Sequence, residues 1–214
     1  MLPILFCKPS PEKKILFRQT SSKGEISFRS LNAETDLDTI HDWVNRNYSI
    51  RFWQLNQSRP ELKRSLVSVL INPHAHSFIA LKDGKPIAQI DAYQIRADEI
   101  AAHLPEAGPH DCGIHVLMQP PRQSEKLLSL HTLRSFLAYY FSFEQAGNLF
   151  GEPDAANGLA NMLARKAGFC FIKQIHLSYK VANLYSISPG QYLNQKKTNS
   201  NPPNLLFNAT YTHP

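Results

Sequence analysis

The alternation of hydrophobic and polar positions predicts a strand and then two helices in the amino-terminal third of the chain. Residues 25–31 alternate polar and apolar side chains, as a half-buried strand does. Leu37 and Val44 fall on one face of a following helix, for which Thr35 is the predicted N-cap. A second helix is predicted to begin at residues 58–61, because a proline near the first helical position suits a helix start.

The middle of the chain predicts three strands. Two apolar runs, residues 77–81 and 87–93, flank the pair Asp83-Gly84. An Asp-Gly pair between apolar runs is a strong short-range signal for a β-hairpin. After a polar loop, residues 112–118 form a third apolar run, which we expect to be the next strand of the same sheet.

The carboxyl-terminal third alternates helices with strands. A long amphipathic helix is predicted over residues 125–143, followed by a short strand at 148–150. A helix over residues 154–167 is predicted to end at Gly168, which would be its left-handed cap. Two more strands, at residues 169–177 and 180–185, complete the core.

This order of elements predicts a single α/β domain with a mixed central sheet flanked by helices. The domain is expected to span residues 24–185, and 214 residues are enough for one sizeable core. Residues 1–23 are interpreted as a lead-in segment. Residues 186–214 are polar and are predicted to form a flexible tail.

Charge and composition argue against several classes of partner. The net charge is +6, but the lysines and arginines are scattered and no nucleic-acid-binding motif is present, so we expect no nucleic-acid partner. No apolar run approaches the length of a membrane span, and we expect a soluble, cytoplasmic protein without membrane association. The three cysteines and the pair His74 and His76 lack metal-ligand spacing, so no metal is expected. The oligomeric state stays open.

Two polar residues stand where the predicted elements would bring them together. His115 leaves a strand just before a helix, and Asp154 opens the next helix, so both are expected at one cleft. Histidine titrates near neutral pH and suits acid/base chemistry. The simpler alternatives are that His115 is a hydrogen-bonded core histidine and that Asp154 is an N-cap.

Eight short motifs follow one another along the chain: His41-Asp42-Trp43, Phe52-Trp53, the Asp83-Gly84 hairpin, Asp111 to Leu117, Phe150 to Asp154 with Asn157, Ala167-Gly168-Phe169, Ile175-His176-Leu177 and Lys180-Val181-Ala182. In this order and spacing they resemble the GCN5-related N-acetyltransferase (GNAT) superfamily, and in particular the acyltransferases of siderophore biosynthesis. The resemblance covers roughly residues 26–185.

The resemblance implies an acyl-coenzyme A-dependent N-acyltransferase that forms a hydroxamate on an N-hydroxylated amino acid or diamine. His115 and Asp154 match the catalytic pair of its "G-x-H-x-L" and "E-P-D-x-x-N" motifs. His115 would be the general base and Asp154 would orient the acceptor or the imidazole. The co-substrate would be acetyl-coenzyme A or another short acyl-coenzyme A.

The binding residues expected from this comparison form two groups. Those expected to contact coenzyme A are Val116, Met118, Arg122, Gln123, Ser124, Lys126 and Asn157. Those expected to contact the acceptor are Trp53, His41 and Tyr93. One departure is that residues 119–126 contain no glycine, whereas the family's pyrophosphate loop is glycine-rich.

Two alternatives remain open at this point. The first is an acyltransferase of the same fold that acts on another small amine. The second is a non-catalytic module, which the glycine-free loop favours because it would bind phosphates less well through its backbone.

Overall fold

The computed structural model describes residues 14–53, 57–121 and 127–200, without the side chains of Trp53 and residues 198–200. In this part of the chain eight strands form one mixed sheet, in the order β1-β2-β3-β4-β5-β6-β8-β7. The strands are β1 (Ile15–Ser21), β2 (Gly24–Ser30), β3 (Ala75–Lys82), β4 (Lys85–Gln94), β5 (Cys112–Met118), β6 (Leu149–Gly151), β7 (Cys170–His176) and β8 (Val181–Ile187). The helices are α1 (Leu37–Val44), α2 (Asn47–Trp53), α3 (Arg59–Ile71), α4 (Leu128–Tyr140), α5 (Gly158–Ala167) and α6 (Pro189–Ser200).

Several predicted elements are confirmed because strong local signals define them. Strand β5 has the predicted bounds. The hairpin between β3 and β4 turns at Asp83 and Gly84, both with positive φ, as this turn requires. Helix α3 starts with a capping box between Ser58 and Glu61.

Two predicted helix starts are wrong. Helix α1 has Asp36 rather than Thr35 at its N-cap. The helix predicted from residue 154 begins at Gly158, and its N-cap is Asn157, whose side chain accepts a hydrogen bond from the Ala160 amide. The reason is that the backbone of residue 154 extends the sheet through a bridge to β8 and so is unavailable to the helix.

Both predicted domain boundaries also change. Strand β1 pairs with β2, so residues 15–21 belong to the sheet. Of the tail predicted from residue 186, residues 186 and 187 complete β8 and residues 189–200 form α6. Tyr192 holds α6 on the core, because its buried ring stacks on Phe141 with 4.7 Å between centroids. Residues 1–13 and 201–214 lie outside the described residues.

The two faces of the sheet carry different layers. On one face α4 packs its apolar stripe on aromatic side chains of the strands, including Phe28 and Phe78. On the other face α1 and α3 cover a second cluster around Ile79 and Leu117. Among the described helices, none is long and apolar enough to cross a membrane.

The sheet parts between β5 and β6. These parallel strands pair only at Cys112–Leu149 and Gly113–Phe150. Beyond that point β5 stays with β4 up to Met118, while the chain after β6 continues along β8. The Pro153 carbonyl accepts from the Asn183 amide at 3.0 Å, and the Ala155 amide donates to the Val181 carbonyl at 2.9 Å. A V-shaped cleft therefore opens at the carboxyl end of β5.

A buried ion pair joins the sheet to the start of α1. Arg29 donates to both carboxylate oxygens of Asp36 at 2.7 and 2.6 Å, with side chains only 6% and 5% exposed. The same carboxylate accepts from the Asn32 amide at 2.9 Å. A buried carboxylate with this many donors is stable only while its cation remains, because an unpaired buried charge is costly.

We expect the substitution Arg29→Met to lower the free energy of unfolding by about 3–5 kcal/mol, because it leaves the Asp36 carboxylate buried without its cation. Urea unfolding followed by circular dichroism measures this. The matched control is Arg18→Met, which breaks the exposed pair with Glu25 and is expected to cost less than about 1 kcal/mol. Equal losses for the two variants would contradict the prediction.

Candidate functional site

A cavity of about 320 Å³ occupies the place where β5 and β6 part. Its wall on the α4–α5 side is apolar, and its wall on the opposite side of the sheet is mostly polar. The apolar wall consists of Ile114, Val116, Leu133, Ala160, Leu163, Ala164 and Phe169. The opposite wall consists of Phe52, His115, Glu152, Asp154, Tyr179 and Lys180. The cavity therefore connects the two faces of the sheet.

The alternation of side chains along extended backbone explains the two walls. Ile114 and Val116 point towards α4, so His115 between them points to the other face. Residues two apart after β6 also share a face. Glu152 and Asp154 accordingly lie on the side of His115.

The carboxylate that the structure places against the imidazole is Glu152. Its Oε1 lies 2.6 Å from Nε2 of His115 and 3.5 Å from Nζ of Lys180. Its Oε2 accepts a hydrogen bond from the Tyr93 hydroxyl at 2.9 Å. A carboxylate acceptor at Nε2 implies a proton on that nitrogen, which leaves Nδ1 as the basic nitrogen of the neutral ring.

These contacts shift two pKa values in opposite directions. Burial opposes the charge on Glu152, whose side chain is 2% exposed, but His115, Lys180 and Tyr93 outweigh it and lower its pKa to about 2. Burial also opposes the charged imidazole, which is 33% exposed, yet Glu152 outweighs it and raises the pKa of His115 above its usual value. Lys180 opposes this rise. Glu152 is thus an anion throughout the physiological range.

Tyr93 supports the site from behind and is not part of the cavity wall. Its ring lies 4.9 Å from the His115 ring, between centroids. The ring passes so close to Gly113 that a Cβ at that position would lie 2.2 Å from it. The glycine of the Gly-Ile-His run therefore makes room for Tyr93, which in turn holds Glu152. The structure places Tyr93 behind Glu152 and His115, and its contact with the acceptor stays a prediction.

Asp154 lies on the same wall as His115, as expected, but it caps a turn. Its Oδ1 accepts a hydrogen bond from the Ala156 amide at 2.7 Å. Asn161 holds the same turn by donating to the Asp154 and Asn157 carbonyls at 2.8 and 2.7 Å. The carboxylate faces the cavity from a rigid turn, while Glu152 is the group that orients the imidazole.

Backbone amides of β5 also point into the cleft. The Gln119 amide donates to Ile87 next to β4, and the Cys112 amide donates to Asn148 on the β6 side. Because amides alternate along a strand, those of Val116 and Met118 point to the β6 side, beyond the last paired residue. The Met118 carbonyl on that side accepts from the Tyr48 hydroxyl at 2.6 Å, which ties α2 to the cleft.

The other predicted binding residues fall into three groups. Asn157 lies on the cavity wall at the start of α5. His41 lies on α1 and is not among the wall residues, because α2 rather than α1 covers the cavity. Those outside the described residues are Arg122, Gln123, Ser124, Lys126 and the side chain of Trp53.

The sequence places Glu152, Lys180 and Phe52 within the family motifs, but no role was predicted for any of them. All three lie on the wall. Glu152 had a visible signal, since it stands two residues before Asp154 in an extended run and shares its face. Lys180 had only its place in the motif Lys180-Val181-Ala182, because it is the turn between β7 and β8 that brings it to the site. The described residues include no group of three or more metal-ligating side chains.

Comparison with known proteins agrees with this geometry. The model of the family "Acetyltransferase (GNAT) domain" matches residues 32–177. The N-hydroxyputrescine acetyltransferase of Acinetobacter baumannii is 25% identical over 170 residues, which are 79% of this chain and 80% of that protein. The aminoglycoside N(6')-acetyltransferase type 1 of Klebsiella pneumoniae is 27% identical over 154 residues, 70% of this chain and 76% of that one.

A solved structure shows the same fold. The aminoglycoside acetyltransferase AAC(6')-Ib in complex with coenzyme A superimposes with a TM-score of 0.72 at 20% identity, covering 80% of this chain and 99% of that one. The cleft, its mixed sheet and the family match over most of the chain lead to one assignment. The chain belongs to the GNAT acetyltransferase family and is an acyltransferase that acts on an amine.

Proposed function

We propose that this protein transfers a short acyl group from acyl-coenzyme A to an N-hydroxylated diamine or amino acid, and so forms a hydroxamate for a siderophore. The observation that carries the proposal is the histidine held by a buried carboxylate at the opening between β5 and β6. The N-hydroxyputrescine acetyltransferase among its relatives supports this acceptor class. The cytoplasmic location expected from the sequence stays a prediction.

The two walls of the cavity suit the two substrates. The apolar wall fits the methylene groups of the pantetheine arm of coenzyme A, and the polar wall fits an acceptor that carries a hydroxyl group. The amides of Val116 and Met118 can donate to the arm or to the oxyanion of the tetrahedral intermediate. In this arrangement the thioester carbon and the acceptor nitrogen meet at the gap in the sheet.

The reaction follows from the chemistry of the acceptor. An N-hydroxylamine is less basic than an alkyl amine, so much of it is uncharged near neutral pH and its nitrogen can attack the thioester carbon. Nδ1 of His115 accepts the proton that leaves the nitrogen as the carbon–nitrogen bond forms. The carbon–sulfur bond then breaks, and the proton passes to the leaving thiolate. Asp154 on the same wall hydrogen-bonds the N-hydroxyl group and orients it.

A second candidate is an acyltransferase for another polyamine, such as an aminoglycoside. The match to the Klebsiella pneumoniae relative and the carboxylates on the polar wall favour it. These two classes of acceptor differ in whether the attacking nitrogen carries a hydroxyl group, and this difference can be measured directly.

Removal of the base is expected to abolish most activity. His115→Ala should lower kcat/KM for hydroxamate formation by about 10²–10⁴-fold, since general base catalysis contributes that much. Hydroxamate is measured as its coloured iron(III) complex. The control His74→Ala removes an exposed histidine that bonds Gln94, and it should leave the rate unchanged. A folded His115→Ala variant with wild-type activity would refute the proposal.

The orienting role of Asp154 predicts a milder effect. Asp154→Asn keeps an oxygen that can accept from the Ala156 amide, so the turn and the thermal midpoint should be retained. The loss of the carboxylate should lower kcat/KM by about 10- to 100-fold through poorer orientation. Steady-state kinetics with a fixed acceptor tests this, and unchanged kinetics would leave Asp154 only its structural role.

The acceptor itself can be tested by comparing matched pairs. Thiol release from acetyl-coenzyme A should be at least about tenfold faster with an N-hydroxy diamine or N-hydroxylysine than with the same amine lacking the hydroxyl group. The reason is that the unhydroxylated amine is protonated near neutral pH and cannot attack. Faster release with an aminoglycoside than with either N-hydroxy compound would favour the second candidate.

A further inference from the structure

Lys180 is fixed at the site by the turn that carries it. The Leu177 amide donates to the Lys180 carbonyl at 2.9 Å and closes the turn between β7 and β8. Glu99 anchors this turn by accepting from the amide and the hydroxyl of Ser178 at 2.6 and 2.7 Å. The Lys180 side chain is only 13% exposed, and its ammonium lies 3.5 Å from Oε1 of Glu152, the oxygen that also contacts His115.

A buried carboxylate requires a positive charge close to it, and two groups could provide it here. If His115 were the only one, Glu152 would be stabilised by drawing a proton onto the imidazole. A protonated imidazole cannot act as a base. Lys180 supplies the same positive charge permanently, so Glu152 can stay ionised beside a neutral His115.

The remaining groups that face His115 do not take over this role. The groups around His115 come from β4, from the segment after β6 and from the turn before β8, and besides Glu152 and Lys180 they are Asp91, Tyr93, Asp154 and Tyr179. Burial raises the pKa of Tyr93 and of Tyr179, so both hydroxyls stay neutral. The carboxylates among these groups add negative charge. Lys180 is therefore the permanent cation of this set.

We infer that Glu152, Lys180 and His115 form a charge-balanced triad, in which Lys180 is a positioning residue whose charge limits the protonation of the imidazole by Glu152, so that the neutral ring is available to accept the proton of the acceptor. This rests on the proposed function of His115 as the base. With the imidazole neutral, the triad has no net charge before transfer. After transfer it carries one positive charge, at the moment when the tetrahedral intermediate carries one negative charge. When the proton passes to the leaving thiolate, the triad becomes neutral again.

The experiment follows the His115 ring directly by a pH titration of its imidazole signals in NMR, in the whole protein and without substrate. The His115→Gln variant identifies the signals. The variants compared are Lys180→Met, Lys180→Arg and Glu152→Gln. The matched control is Lys173→Met, which removes an equal charge from the same hairpin, where Lys173 donates to the His103 carbonyl.

Opposite shifts are expected for the two partners. Lys180→Met should raise the pKa of His115, because the opposing cation is lost, and Glu152→Gln should lower it, because burial then acts without its counter-charge. Lys180→Arg and Lys173→Met should leave it near the wild-type value. The midpoint of kcat/KM against pH should move in the same directions, because the acceptor is the same in every variant.

The inference is overturned if Lys180→Met leaves the His115 titration unchanged or moves it in the same direction as Glu152→Gln. If the titration is unchanged and KM for the acceptor rises, Lys180 would be assigned to acceptor binding instead. Because the titration needs no substrate, its result is distinguishable from a failure of the proposed function, which the His115→Ala variant tests. If Lys180→Met does not fold, Lys180→Gln provides the same comparison.

Discussion

Strand β5 pairs with β4 along its whole length but with β6 over only two residues, and the geometry of the site depends on that difference. The chain after β6 is held by β8 through backbone hydrogen bonds at Pro153 and Ala155, so it cannot close onto β5. The gap exposes amides on the β6 side of β5 and joins the two faces of the sheet. In the proposed function, the thioester and the polar acceptor approach the same point from opposite sides.

The chemistry proposed at the gap also depends on the polar cluster around Glu152 beside it. Glu152 is buried and ionised, which is costly unless its oxygens are fully engaged. Three donors from three different elements engage them: His115 on β5, Tyr93 on β4 and Lys180 on the β7–β8 turn. The cluster therefore forms only when the sheet is assembled, and it fixes the orientation of the imidazole as part of the fold.

Much of this fold could be predicted because local signals define it. Strand β5, the Asp83-Gly84 hairpin and the start of α3 each have a pattern or turn chemistry of their own. The place of His115 beside the cleft could be predicted for the same reason, since it stands within the recognisable run of β5. What could not be predicted depends on contacts between distant residues. Glu152 meets His115 across 37 positions of sequence, and the bridge to Ala182 displaces the start of α5.

The polar carboxyl-terminal segment shows the same limit. Its composition resembles that of a flexible tail, yet one aromatic side chain, Tyr192, packs on Phe141 and holds a helix to the core. Composition averages over residues, whereas docking depends on individual contacts such as this ring and the Gln195 amide, which donates to the Gly168 carbonyl at 2.9 Å. The glycine-free run at residues 119–126 is a second place where a local pattern and a wider comparison differ. Its sequence alone argues against phosphate binding, whereas the family match argues for it.

The most direct test of the account is where acyl-coenzyme A binds. Backbone amide shifts can be followed by NMR while acetyl-coenzyme A is added to the whole protein. The cleft predicts the largest changes at Val116 and Met118, whose amides point to the β6 side, and a smaller change at Leu117, whose amide points to β4. Binding that leaves the amides of Val116 and Met118 unchanged would contradict the account, as would the absence of any binding.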